Sequence, residues 1–158
     1  MKQQIDKVLQ EVTIKTFEDA CFVYAAPELK DKQKEFAWDA AAEVRFKGEP
    51  AGRLLLAVSG NLLAAMAGNM LSTENPTLQE KKDALGEVAN IICGNVIPYL
   101  ERTRKGGYKI LSPRFLGRAE LKKEKPEKPL AGIVLYLGPG RAEVKIFMER
   151  LSQQERKD

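Results

Sequence analysis

Histidine is absent from all 158 residues. That excludes a Ser-His or Cys-His nucleophile pair, an imidazole proton shuttle and any His-ligated zinc or iron. Chemistry here must run on carboxylates, amides, hydroxyls, lysine or thiol. Cysteine is nearly absent too. Cys21 and Cys93 are the only two, far apart and each among apolar neighbours, so no Cys-x-x-Cys zinc site can form, and both read as small buried hydrophobes of a reducing cytoplasm. Long apolar runs are missing. The richest stretch, 54–70, is broken by Ser59, Gly60, Asn61 and Gly68, short of the ~20 residues a bilayer span needs. The first residues, Met-Lys-Gln-Gln-Ile-Asp-Lys, carry no apolar segment of a secretory signal. A cytoplasmic chain, neither secreted nor embedded in a membrane, is expected. Nor is there a strong excess of one charge: Lys plus Arg number 26 and Asp plus Glu 22, mixed along the chain, unlike the basic stripe of a dedicated nucleic-acid binder. The most basic loop, 122–128, lacks interleaved aromatics and is half neutralised by Glu120, Glu124 and Glu127. Nucleic acid is not an expected partner.

With 44% hydrophobic and 30% charged residues, residues 1–158 fit a single domain that can bury roughly 70% of its unfolded surface. Ile5, Val8, Leu9, Val12 and Thr16 recur at helical spacing and predict a first helix over residues 3–20. Pro27 and the charged run 28–35 read as a loop. Ala40, Ala42, Val44 and Phe46 then alternate with Ala41, Glu43, Arg45 and Lys47, and Gly48-Glu49-Pro50 separates them from the apolar run 52–58, which together predict a β-hairpin. Residues 61–71 read as a short buried helix. Thr77-Leu-Gln-Glu80 is a capping box that launches the longest helical pattern, from Leu78 to about Leu100, with an end or kink expected near Pro98. A short strand is expected at 108–111, a solvated loop at 118–129, and a second hairpin from 133–137 through Gly138-Pro139-Gly140 to 142–148. Each hairpin could pair with a helix to give two halves of a pseudo-symmetric α/β sandwich.

The long helix has a polar pattern that solubility alone does not explain. At roughly 100° per residue, Asp83, Glu87, Asn90 and Gly94 fall within about 60° of one another, opposite Leu85, Val88, Ala89, Ile92 and Val96. A solvated helix face is one reading, but such faces favour Lys, Glu, Gln and Ala, and Asn in a helix interior costs roughly half a kcal/mol against Ala. Gly86 and Gly94 open the surface to close approach. An amide can donate to one oxygen and accept from another, and so can hold a water in line with a phosphorus centre. A neighbouring carboxylate can grip a partner's lysine or arginine. Two such groups do not bind a free phosphate ester well; they suit a helper that completes a partner's active site.

At these residues the sequence resembles the CheX-type phosphatases of chemotaxis, in the wider CheC, CheX and FliY group that dephosphorylates response regulators such as CheY. The family pattern is Asp or Ser, three residues, Glu, two residues, Asn, then twenty-two residues and Pro; Asp83, Glu87, Asn90 and Pro113 meet it with every spacing intact. Of five asparagines only Asn90 has a glutamate three residues earlier, which is similar to one-site CheX rather than two-site CheC. The resemblance implies that Glu87 salt-bridges the regulator's active-site lysine and that Asn90 sits beside the aspartyl phosphate and orients the attacking water. Asp83 and Pro113 then shape the helix face and the following turn. It also implies an α/β (α+β) sandwich with two long helices on an antiparallel sheet, a homodimer through a shared sheet, a phosphorylated CheY-like partner, no cofactor in this chain, and magnesium in the receiver. Arg102, Arg104 and Lys105, near the helix's C-terminal end, would steer an acidic receiver pocket or complement the helix dipole.

Two functions of different class remain open at this stage. One is an aspartyl-phosphate phosphatase with Glu87 and Asn90 catalytic. The other is a CheX-like docking domain that uses the same face without hydrolysis; the retained Asn favours the first, since docking alone would tolerate Ser, Gln or Ala.

Overall fold

The protein's structure, a computed structural model, describes residues 2–26, 37–48, 51–100, 107–123 and 127–149. Helix α1 (Lys2–Cys21) buries Ile5, Leu9, Thr13, Thr16, Phe17 and Cys21, a stripe at spacings of three and four. Strands β1 (Ala40–Lys47) and β2 (Gly52–Gly60) form the expected antiparallel hairpin, in register from Ala40 opposite Val58 to Phe46 opposite Gly52. Helix α2 (Leu62–Leu71) buries Leu62, Met66 and Ala67 and stops at Ser72, whose left-handed backbone (φ 54°) turns its N–H back to the carbonyl of Gly68.

Helix α3 (Leu78–Val96) starts at the predicted capping box: the Glu80 N–H donates to Thr77 Oγ1 at 3.1 Å and the Thr77 N–H to Glu80 Oε1 at 2.9 Å. Thr77→Ala is expected to cost about 1 kcal/mol, read as a lower urea midpoint with an unchanged slope; an unchanged midpoint would show the cap to be idle. Ahead of Pro98 the α-helix gives way to a 3-10 turn, Ile97–Tyr99, as a residue without an N–H dictates.

Strands β3 (Lys109–Ile110) and β4 (Arg114–Gly117) both pair with β1, and β5 (Ala131–Tyr136) pairs with β6 (Gly140–Met148). One expectation needs correction. Residues 118–129 do not begin as a loop: helix α4 (Arg118–Lys122) forms there, because Glu120 Oε1 accepts the Gly117 N–H at 3.2 Å and Leu121 packs against the small cluster of Ala41, Ala57 and Leu116. The two hairpins lie side by side. Strand β2 pairs with β6 along their whole length, from Gly52 opposite Met148 to Gly60 opposite Gly140, which makes one antiparallel sheet in the order β3-β1-β2-β6-β5 with β4 also on β1. Gly140 permits this closure, since a Cβ there would meet the Ser59 carbonyl oxygen at 2.1 Å.

The three longer helices bury their stripes on one sheet face. Val44 and Phe46, Leu54 and Leu56, and Val144 and Ile146 meet Leu9, Phe17, Met66, Leu85 and Ile92 in a single core. The implied sandwich, with long helices α1 and α3 on an antiparallel sheet, is therefore the observed one. On the outer face Ala41 and Glu43 are buried as well, although alternation alone would expose them; Leu116 and Trp38 flank Ala41, and arginines close over Glu43.

Cys21 and Cys93 lie in the core, and burial pushes their thiols up to about 11 and about 12. The folded thiols keep their protons where the unfolded chain, with its value near 9.0, would release them. Their contribution to stability is thus intact below pH 9 and is lost as pH rises from there toward 11 and 12. Ellman's reagent at pH 8 is expected to label neither thiol until urea unfolds the chain; fast native labelling would contradict the burial.

Candidate functional site

Because α3 buries Leu85, Val88, Ala89, Ile92 and Val96 against the sheet and its neighbouring helices, the opposite stripe faces outward, and Asp83, Glu87, Asn90 and Gly94 are all exposed. Their bonding differs. Asp83 Oδ1 accepts from Gln79 Nε2 at 2.8 Å, a bond one turn back along the helix that occupies the carboxylate within its own face. The side chains of Glu87 and Asn90 make no hydrogen bond or ion pair among the described residues. Asn95 provides the contrast: its Nδ2 donates to the Ile91 carbonyl at 3.0 Å, an amide satisfied by its own helix. Asn90 and Glu87 stand three residues apart, so their Cβ atoms are roughly 5–6 Å from each other on one surface.

Pro113 lies in the connection between β3 and β4 and rests on the helix immediately beside this pair. A Cβ built on Gly86 would lie 3.1 Å from Pro113 Cγ, so glycine at the position before Glu87 is what lets the turn come so close. The Leu111 N–H donates to the Arg45 carbonyl at 2.8 Å and ties the same connection to β1. Gly94 faces Ile110 Cδ1, 3.8 Å from an ideal Cβ, and Lys82 Nζ stands 5.1 Å from the centre of the Phe115 ring. Helix α3 thus carries Asp83, Glu87 and Asn90 on one exposed face, and Pro113 touches that helix at Gly86, the position before Glu87. Arg102, Arg104 and Lys105 lie outside the described residues.

On its other flank the stripe borders a cleft of about 400 Å³ between α1 and α3, lined by Val12, Lys15, Thr16, Asp19, Ala20, Ile91, Asn95 and Tyr99. The sequence reading missed this cleft and the Gln79 bond. The Gln79-to-Asp83 spacing of four was available as a signal, whereas the cleft depends on how two distant helices meet. Among the described residues no three His, Cys, Asp or Glu side chains group as metal ligands, and no helix is long and apolar enough to cross a membrane.

The fold and stripe together define an α/β sandwich of the CheC/CheX-like kind. The family model described as "Chemotaxis phosphatase CheX" matches residues 40–135, more than half of the chain, and the chain belongs to that family. No curated protein sequence matches. Among solved structures, the fold is similar to that of a chemotaxis protein CheX from Desulfovibrio desulfuricans, with a TM-score of 0.68 at 20% identity over 92% of this chain and 99% of that one. It is also similar to the CheX-CheY-BeF3-Mg+2 complex from Borrelia burgdorferi, with a TM-score of 0.63 at 19% identity over 91% and 97%. A more distant likeness is to Thermotoga maritima FliY, with a TM-score of 0.55 at 14% identity over 99% and 93%.

Proposed function

We propose that this protein dephosphorylates a CheY-like response regulator by inserting α3 into the receiver's phosphorylation pocket. The observation that carries the reading is the exposed carboxylate and carboxamide of Glu87 and Asn90, neither engaged among the described residues, on a rigid helix of a CheX-family chain. Glu87 pairs with the receiver's lysine and fixes the register. Asn90 holds the water: its carbonyl accepts from the water while its amino group donates to a phosphoryl oxygen. The water oxygen then bonds to phosphorus and the bond from phosphorus to the receiver's aspartyl oxygen breaks. One water proton stays on the phosphate and the other passes to solvent, leaving a free carboxylate and inorganic phosphate. On this reading the magnesium belongs to the receiver, and this chain supplies only the carboxylate and the amide.

The test is the decay of a phosphorylated CheY-like receiver from the same organism, with magnesium, with and without this protein. Acceleration is the expected result. Binding without acceleration would make the chain a docking domain, and no binding would remove the receiver as its partner.

A homodimer through a shared sheet belongs to the same proposal. The β5 edge is partly closed, since Asp6 Oδ1 accepts the Gly132 N–H at 3.0 Å and the Ala26 N–H donates to the Tyr136 carbonyl at 2.6 Å. Strand addition therefore falls to the β3–β4 edge. Light scattering that reports a monomer at assay concentration would overturn this.

A further inference from the structure

On the outer face of the sheet, away from α3, one carboxylate holds three arginines. Glu43 is 3% exposed and accepts from Arg45 Nε at 3.1 Å and Arg53 Nη1 at 3.1 Å, with Arg114 Nη2 at 3.4 Å. Arg53 is further committed: it bonds Glu127 at 3.0 Å and lies 4.1 Å above the Phe147 ring. Among the described residues Arg45 and Arg114 are not. Both reach the same Glu43 oxygen, Oε1, so their guanidinium groups are held side by side, and their side chains remain 63% and 59% exposed.

The charge around them is unbalanced in a way that folding alone does not favour. Strand register sets Arg45 directly opposite Arg53 and Lys47 directly opposite Lys109, two like-charge pairs where opposite charges would stabilise the sheet. Five cations of the described residues gather at this end of the outer face. Among the described residues the carboxylates beside them are Glu43, Glu127 and Glu149, the last two lining a cavity with Arg45, Arg53 and Phe147. A single buried carboxylate that needed neutralising would be served by Arg53. Two further guanidinium groups, preset at a common oxygen with donors left over toward solvent, have the geometry of a clamp for a tetrahedral oxyanion.

We propose that Arg45 and Arg114, clamped by Glu43, form a binding site for a phosphate dianion, free or as a monoester, with Lys47 and Lys109 adding to the local field. The site is separate from the Glu87–Asn90 stripe and does not depend on its function.

The experiment titrates the whole protein, at constant ionic strength, with inorganic phosphate and with glycerol 3-phosphate, following arginine Nε–Hε signals by NMR. Saturable shifts confined to Arg45, Arg53 and Arg114 are expected, and the affinity should fall about tenfold or more in R45Q/R114Q, which leaves Arg53 on Glu43. Saturation by the free anion alone assigns phosphate, and by the ester alone an esterified ligand; either supports the site. Shifts in wild type that do not saturate, that perchlorate reproduces, or that spread equally to Arg118 and Arg141 would overturn it. So would an affinity unchanged in the double variant.

Discussion

Asn90→Ala is expected to lower the acceleration of receiver dephosphorylation by about 10²–10³-fold, the loss typical of removing one preorganised group that acts only in the transition state. The fold has little stake in this side chain, which is exposed and without an internal bond among the described residues. Alanine should even favour the helix by roughly half a kcal/mol. Affinity for the phosphorylated receiver should change by a few-fold at most, because the amide is one small group in a larger interface. The variant therefore separates binding from chemistry: kcat collapses while KM stays close to wild type. Glu87→Ala is expected to behave differently, raising KM through loss of the lysine pair as well as lowering kcat. If Asn90→Ala kept full activity, the water would be positioned by something other than this amide, and the catalytic assignment would fail even if the protein remained a phosphatase.

The part of the molecule most legible in the sequence is the part ruled by local chemistry. Thr77 and Glu80 mark a helix start because their side chains satisfy backbone N–H groups within three residues, and the bond pattern found is the one their spacing predicts. The outward stripe of Asp83, Glu87, Asn90 and Gly94 follows from helical angle alone once Leu85, Val88 and Ile92 are taken as core. What escaped the sequence was decided between distant segments. The pairing of β2 with β6 joins residues eighty or more positions apart, and no alternation of apolar residues says which strands of the two hairpins meet. Helix α4 was hidden by its composition, since a charged, proline-flanked run looks solvated until Leu121 is seen packed against Ala41, Ala57 and Leu116. Gly86 was legible as an opening in the helix surface. That Pro113 fills it needed the fold.

Glu43 was the least legible residue of all: alternation placed it with Arg45 and Lys47 on a solvent face, yet it is buried beneath arginines. Glu43→Ala is expected to destabilise the protein by about 3 kcal/mol, because removing one partner of a buried ion pair strands the other. The stranded charge is Arg53, whose side chain is only 19% exposed and whose remaining carboxylate, Glu127, is itself half exposed. For a chain of this size that loss corresponds to a fall in Tm of about 6–12 °C. Arg45→Ala and Arg114→Ala, at exposed ends of the cluster, should each cost less than about 1 kcal/mol. Glu43→Leu combined with Arg53→Leu should recover much of the loss, since a buried pair replaced by apolar side chains of similar volume is often close to neutral. Thermal unfolding of the four variants checks this. A Tm unchanged in Glu43→Ala would mean that the buried carboxylate does not organise the outer face, and that the three arginines stand without it.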